Sequence, residues 1–263
     1  MTDGAKNGSM TSLTDIRGHV AVVTGGTQGI GLATAQKFAA EGAKVVVTGR
    51  SAENGQAALD ALKPYGSDVI FLQGDATSGK DTDAAMAAVD EKWGRIDILV
   101  NCAGGFMTSP RIDEIDEAGW RQGIEWNLTA KFLSVRAAVP IMKRRNYGRI
   151  VNVSSVAGRG GVVAAPLDYS AAKAGVAGFT RRLAVELAPN GITANVVAPG
   201  TTQTPRLSRL SHRRMEQVIA RIPVGRLGLP EEIALGIWSF CIPGAGYTTG
   251  AVLDMNGGVW TGA

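Results

Sequence analysis

The sequence predicts one α/β domain of the doubly wound type, a seven-stranded parallel sheet flanked by helices on both faces. Three observations predict it. Short β-branched apolar runs alternate with helix-length stretches along the whole chain. The apolar runs are nearly continuous, as in strands buried on both faces. No break in composition divides the chain, and no internal repeat is visible. At 263 residues, with 45% hydrophobic and 19% charged, the chain is long and apolar enough for one large core.

The elements follow in order. Residues 19–24 (HVAVVT) read as the first strand. A helix over 30–41 stops at Gly42, a residue suited to the left-handed end of a helix. Residues 44–48 (KVVVT) form the second strand, 52–62 a helix, and 68–73 (DVIFLQ) the third strand. A helix over 81–93 leads to the fourth strand at 96–101 (IDILVN). A long helical region covers 119–145, with a break near its start. Residues 149–154 (RIVNVS) form the fifth strand. The helix over 168–188 is stopped by Pro189-Asn190-Gly191. Residues 192–197 (ITANVV) are the sixth strand, 230–240 a helix, and 252–255 (VLDM) the last strand. Residues 1–15 are a flexible tail, frayed through residue 12, and 16–263 the domain. The polar, Arg-rich stretch 201–221 follows a strand's C-terminal end, where open α/β sheets bind ligands, and reads as a substrate lid. A helical insertion without gating is the alternative.

Composition excludes several function classes. The balance is 27 Lys+Arg against 23 Asp+Glu, net +4. The densest basic cluster, Lys143-Arg144-Arg145, reads as a solvated helix end, so no nucleic-acid partner is expected. Cys102 and Cys241 lie in apolar surroundings and suit a reducing, cytoplasmic setting. His19 and His212 cannot build a histidine metal site alone, so no metal is expected. No apolar run reaches a membrane span, and the first 17 residues lack an apolar signal core.

Thr24-Gly25-Gly26-Thr27-Gln28-Gly29-Ile30-Gly31 joins the first strand to the first helix. Gly25 can turn sharply out of the strand, Gly29 admits a pyrophosphate, and Gly31 lets helix and sheet approach. The helix N-terminus supplies unpaired N–H groups and partial positive charge. The spacing is Gly-x-x-x-Gly-x-Gly. With the motifs below it resembles the short-chain dehydrogenase/reductase family, from about Arg17 to Gly258, which implies a Rossmann fold and hydride exchange between a nicotinamide dinucleotide and a carbonyl/alcohol pair.

The end of the second strand reads Thr48-Gly49-Arg50-Ser51. The family's usual Asp falls on Gly49. Arg50 can grip a 2′-phosphate with two parallel hydrogen bonds, and Ser51 can add a third. NADP(H) is therefore the expected cofactor, with NAD(H) as the alternative. The resemblance implies further cofactor contacts from Asp75 and Ala76, from Asn101, Ala103 and Gly104, and from Pro199, Gly200, Thr202 and Thr204. Cys102 stands where the family has a second Asn.

Tyr169-Ser170-Ala171-Ala172-Lys173 opens a helix, with Tyr169 and Lys173 on one face a turn apart. Ser155, before Val156-Ala157-Gly158, is the family's expected serine, with Ser154 the alternative. Asn127 matches the fourth catalytic position. A free phenol ionises near pH ~10, and a neighbouring ammonium favours its phenolate. By resemblance Tyr169 is the general acid/base and Ser155 a hydrogen-bond donor to the carbonyl oxygen. Lys173 also positions the nicotinamide ribose, and Asn127 holds a relay water.

The substrate pocket is expected to use Gly105, Phe106, Met107, the stretch 159–167 and the lid, with apolar Val162, Val163 and Leu167 beside basic Arg159. Residues 222–228 and 230–234 resemble 3-oxoacyl-(acyl carrier protein) reductases. Asn190 and Asn146 stand where carrier-docking arginines are usual, although Arg144 and Arg145 are close by. The partner is thus a small carbonyl or alcohol, with acyl carrier protein an open alternative. A sugar or cyclic alcohol dehydrogenase working in oxidation, or a non-catalytic dinucleotide sensor, are the other readings. The region 240–250 is slightly short and Asn256 replaces an Asp, but a homotetramer is the assembly the resemblance implies.

Overall fold

Continuous apolar strands need cover on both faces, and the computed structural model provides it. It describes residues 10–66, 68–106, 111–160, 165–205, 207 and 211–262. The strands are β1 (Val20–Thr24), β2 (Lys44–Gly49), β3 (Val69–Gln73), β4 (Ile98–Asn101), β5 (Gly148–Val153), β6 (Ile192–Pro199) and β7 (Val252–Met255). They form one parallel sheet in the order β3-β2-β1-β4-β5-β6-β7. The helices are α1 (Met10–Thr14), α2 (Gly29–Ala40), α3 (Ala52–Leu62), α4 (Gly79–Trp93), α5 (Glu117–Ile124), α6 (Ala130–Lys143), α7 (Leu167–Leu187), α8 (His212–Ile219) and α9 (Pro230–Cys241).

Successive side chains of a strand point to opposite faces. Ala21 and Val23 of β1 therefore join one core with Phe38 of α2, Leu62 of α3 and Ile237 of α9. Val20 and Val22 join the other, with Met86 of α4, Val135 and Met142 of α6, and Leu187 of α7. Helix starts are set by local polar residues: Ser51 caps α3, Ser78 caps α4 and Asp116 caps α5, each accepting a backbone N–H three residues on.

α3 and β7 match the sequence expectation residue for residue, and most other ends move by one or two positions. β4 starts two residues later than expected, just after Asp97, whose N–H donates to Val20 O at 2.9 Å. Its carboxylate accepts Val20 N at 2.8 Å and Arg95 Nε at 2.7 Å. The long helical region 119–145 divides into α5, a wide π turn over Glu125–Thr129, and α6. Residues 10–14, expected within the tail, form α1, where Leu13 abuts Gly244. Among the described residues no helix is long and apolar enough to cross a membrane.

Chain connections leave β1 and β4 in opposite directions, which opens a crevice at the C-terminal ends of these two strands. A buried polar row lies just beneath it. Thr24, Asn101 and Asn152 are register neighbours across β1, β4 and β5. Asn101 Nδ2 donates to Asn152 Oδ1 at 2.8 Å, and Asn152 Nδ2 to Thr180 Oγ1 at 2.9 Å. Ser134 of α6 donates to Asn101 Oδ1 at 2.6 Å. The row ties α6 and α7 to the sheet at the level where the crevice begins.

Candidate active site

The turn after β1 forms one wall of the crevice. Gly25 has φ 64°, and a Cβ there would lie 2.9 Å from Ala103 Cα in the turn after β4. At Gly31 a Cβ would lie 2.2 Å from Gly25 O, so only glycine lets α2 start this close to the turn. Gln28 begins α2 in an extended conformation without a side-chain cap. The first N–H groups of α2 are thus left to the crevice, which suits an anion.

The crevice encloses about 780 Å³, within the range of ligand sites. Gly25, Thr27, Gln28, Gly29, Ile30, Gly31, Arg50, Ser51, Asp75, Ala76, Ala103, Gly104, Pro199, Gly200, Thr202 and Thr204 all line it, as do Ser155, Tyr169 and Lys173. At one end Arg50, with 68% of its side chain exposed, has Nη1 3.9 Å from Asp75 Oδ2. Its guanidinium lies 5.8 Å from the Trp126 ring centre. A Cβ on Gly49 would stand 2.9 Å from Thr27 Cγ2, so an acidic side chain has no room there unless Thr27 shifts. Ser51 accepts Asn54 N as the cap of α3. Asp75 Oδ1 is taken by Thr77 N and Oγ1, at 2.9 and 2.8 Å.

The other end is built by the first turns of α7 against the end of β5. Lys173 is only 4% exposed. Its Nζ donates to Val153 O at 3.0 Å and lies 5.3 Å from the Tyr169 ring centre. Phe106 packs edge-on against Tyr169 at 4.9 Å. The geometry separates the two serines. Ser154 is buried and donates to Lys173 O at 2.7 Å, tying β5 to α7. Ser155 is half-buried and starts the turn Val156–Gly158, where its Oγ accepts Ala157 N at 3.2 Å.

Two expected site residues stand behind the wall. Asn101 is fully buried in the polar row, so its side chain meets Asn152 and Ser134 instead of a cofactor. Asn127 is also fully buried. Its Nδ2 donates to Gly105 O at 2.8 Å and Gly123 O at 3.0 Å, while Oδ1 accepts Gly105 N at 2.8 Å. One amide donor thus holds the loop after β4 and the other the Gly123 carbonyl of α5. Arg159 also differs from expectation: its Nε donates to Asp254 Oδ1 at 3.1 Å and its guanidinium stacks 4.3 Å from the Trp260 ring. Its charge is answered there and not offered to the pocket. Met107, Val162, Val163 and residues 206 and 208–210 of the expected lid lie outside the described residues. Of that stretch, Arg214 and Val218 on α8 line the crevice.

Asn54, Trp126 and Lys131 were not singled out from the sequence. The first two line the crevice. Lys131 is 1% exposed, on the buried stripe of α6, and donates to Ala103 O at 2.9 Å. Burial pushes its pKa down to about 8, against opposing pulls from Cys102 and Lys173. Burial pushes the Cys102 thiol the other way, up to about 12. A charged residue on the largely apolar buried stripe of α6 is the readable sign of Lys131. Among the described residues no group of His, Cys, Asp and Glu could hold a metal ion.

Known proteins share this sequence and fold. The family model described as short chain dehydrogenase matches residues 19–215. The chain is 38% identical to a 3-oxoacyl-[acyl-carrier-protein] reductase of Vibrio cholerae, over 94% of this chain and 99% of that protein. It is 37% identical to an acetoacetyl-CoA reductase of Cupriavidus necator, over 93% and 99%. Among solved structures, an actinorhodin polyketide ketoreductase with NADPH superposes with a TM-score of 0.87 at 36% identity, covering 92% of this chain and 97% of that one.

The clamp on Gly105 is open to test. Asn127→Ala removes three buried hydrogen bonds and is expected to lower the unfolding free energy by about 2–4 kcal/mol in denaturant titration. Hydrogen exchange at the Gly105 amide should quicken. A loss under about 0.5 kcal/mol, with exchange unchanged, contradicts the clamp.

Proposed function

The chain belongs to the short chain dehydrogenase family, and from that premise we propose that it is an NADP(H)-dependent reductase converting a ketone of 3-oxoacyl type to a secondary alcohol. The observation that carries the proposal is the meeting of Tyr169, Lys173 and Ser155 at one end of a crevice whose other end carries Arg50. The uncapped α2 N-terminus between them fits a pyrophosphate. Arg50 at the rim and the absence of an acid at position 49, which is glycine, favour a 2′-phosphate. The resemblance to a ketoreductase solved with NADPH supports the same choice. Relatives named for 3-oxoacyl and acetoacetyl thioesters support the substrate class.

NADPH, when bound, supplies hydride to the carbonyl carbon. Tyr169 gives its hydroxyl proton to the carbonyl oxygen, which leaves the alcohol and a phenolate. Ser155 donates a second hydrogen bond to that oxygen and stabilises its developing negative charge. Lys173, held on Val153 O in a site with little water, stabilises the phenolate through its positive charge. Ser154 and Asn127 act one layer back, fixing α7 and the loop that carries Phe106. Asp75, Ala76, Pro199, Gly200, Thr202 and Thr204 complete the dinucleotide wall. A homotetramer is part of the same proposal, supported by large apolar side chains left exposed on α5, α6 and α9, namely Trp120, Phe132 and Leu235.

Initial rates of NADPH oxidation against acetoacetyl thioesters, cyclic ketones and sugars test the function. Activity with the thioesters is expected, and Tyr169→Phe should keep NADPH binding while turnover falls at least ~10²-fold. A Phe variant with near-normal turnover defeats the assignment. Arg50→Gln should weaken NADPH binding by roughly 10-fold or more while leaving NADH binding almost unchanged. Equal losses for both cofactors would remove Arg50 from the choice between them.

A further inference from the structure

Lys131 has no part in the reaction described above, yet it lies against the groups that carry it. It sits on α6 one turn after Asn127, among Ser134, Val135, Ala138 and Met142 on the buried stripe. At 1% exposure it has little water to solvate its charge, and lysines are seldom buried this far without a reason. Its Nζ reaches across to Ala103 O at 2.9 Å, in the turn after β4. Lys173 approaches the same turn from α7: its Nζ stands 3.6 Å from where a Cβ on Gly104 would be. The Lys131 and Lys173 side chains are within hydrogen-bonding reach of each other. Tyr169 is next to Lys173, its ring centre 5.3 Å from Lys173 Nζ. The titratable groups that face Lys131 are thus Lys173, from α7, and the Cys102 thiol, from the turn after β4.

We propose that Lys131 is a positioning residue of the active site: pinned on Ala103 O beside Lys173, its ammonium adds a second positive charge behind Tyr169 and favours the phenolate. The inference rests on the reading of Tyr169 and Lys173 given above. Its sign follows from simple electrostatics. A cation behind the phenol lowers the pH at which the phenol ionises. Because burial brings Lys131 down to about 8, this contribution is complete well below pH 8 and fades as the pH rises through that value. Lys131 also repels the charge on Lys173.

The test follows kcat/KM for NADP-dependent alcohol oxidation against pH in the wild type, Lys131→Gln and Lys131→Met. Gln can still donate to Ala103 O but carries no charge, whereas Met does neither. Both variants are expected to move the rising ionisation upward by about one pH unit, which lowers oxidation near neutral pH about tenfold. NADPH affinity of the Gln variant should stay within about threefold of wild type, since the donor to Ala103 O is retained. A Gln variant that binds NADPH and keeps the wild-type profile overturns the proposal. So does a profile shifted in Met but restored in Gln, which would make the hydrogen bond the operative feature. If neither variant folds, nitrogen-labelled lysine in the wild-type NADPH complex carries the test by NMR. A Lys131 amine that is still protonated at pH ~7 supports the proposal, and one that is already neutral there overturns it. A wild type that turns over no carbonyl or alcohol defeats the reductase reading instead, and the NMR titration still decides the state of Lys131.

Discussion

A buried ammonium organises this molecule's working end. Lys173 must leave water to reach Val153 O, and a charge in so dry a place is tolerated only when its donors are answered. The end of β5 answers one of them. The first turns of α7 are therefore fixed on the sheet, and Tyr169 on the same helix face is fixed with them. Ser154 reinforces the attachment through Lys173 O. A phenol next to a poorly solvated cation is better suited to gain and lose a proton than one in water.

The rest of the fold can be understood as support for that contact. The parallel sheet brings the ends of β1, β4 and β5 side by side, so the glycine turn, the loop carrying Phe106 and the serine turn share one crevice. The row Thr24, Asn101, Asn152 and Thr180 joins those strand ends to α7 with satisfied buried hydrogen bonds. Such a network, complete in its partners, specifies one arrangement of helix against sheet. Asn127 does similar work for the loop after β4. Lys131 sits where these supports converge, with Ala103 on one side and Lys173 on the other.

Local pattern made much of this legible in the sequence. α3 lies between a Ser cap and a helix-ending stretch, and β7 is a short apolar run between glycines, so their ends are written in the residues themselves. The glycine turn and the Tyr169/Lys173 spacing were equally local. What the sequence hid depends on partners far away in the chain. Asn101 turns inward because Ser134 and Asn152 wait for it. Arg159 is drawn from the pocket by Asp254, at 95 positions' separation. The π turn over Glu125–Thr129 has no composition signal, yet it lies where Asn127 meets Gly105.

The central claim is that the Lys173 ammonium makes Tyr169 unusually acidic, and ultraviolet phenolate absorbance tests it without any substrate. The difference between wild type and Tyr169→Phe, titrated upward in pH, isolates the one phenol. The account predicts ionisation clearly below the ~10 of an ordinary tyrosine. A phenol that ionises at or above that value would contradict it, even with the crevice and its cofactor in place.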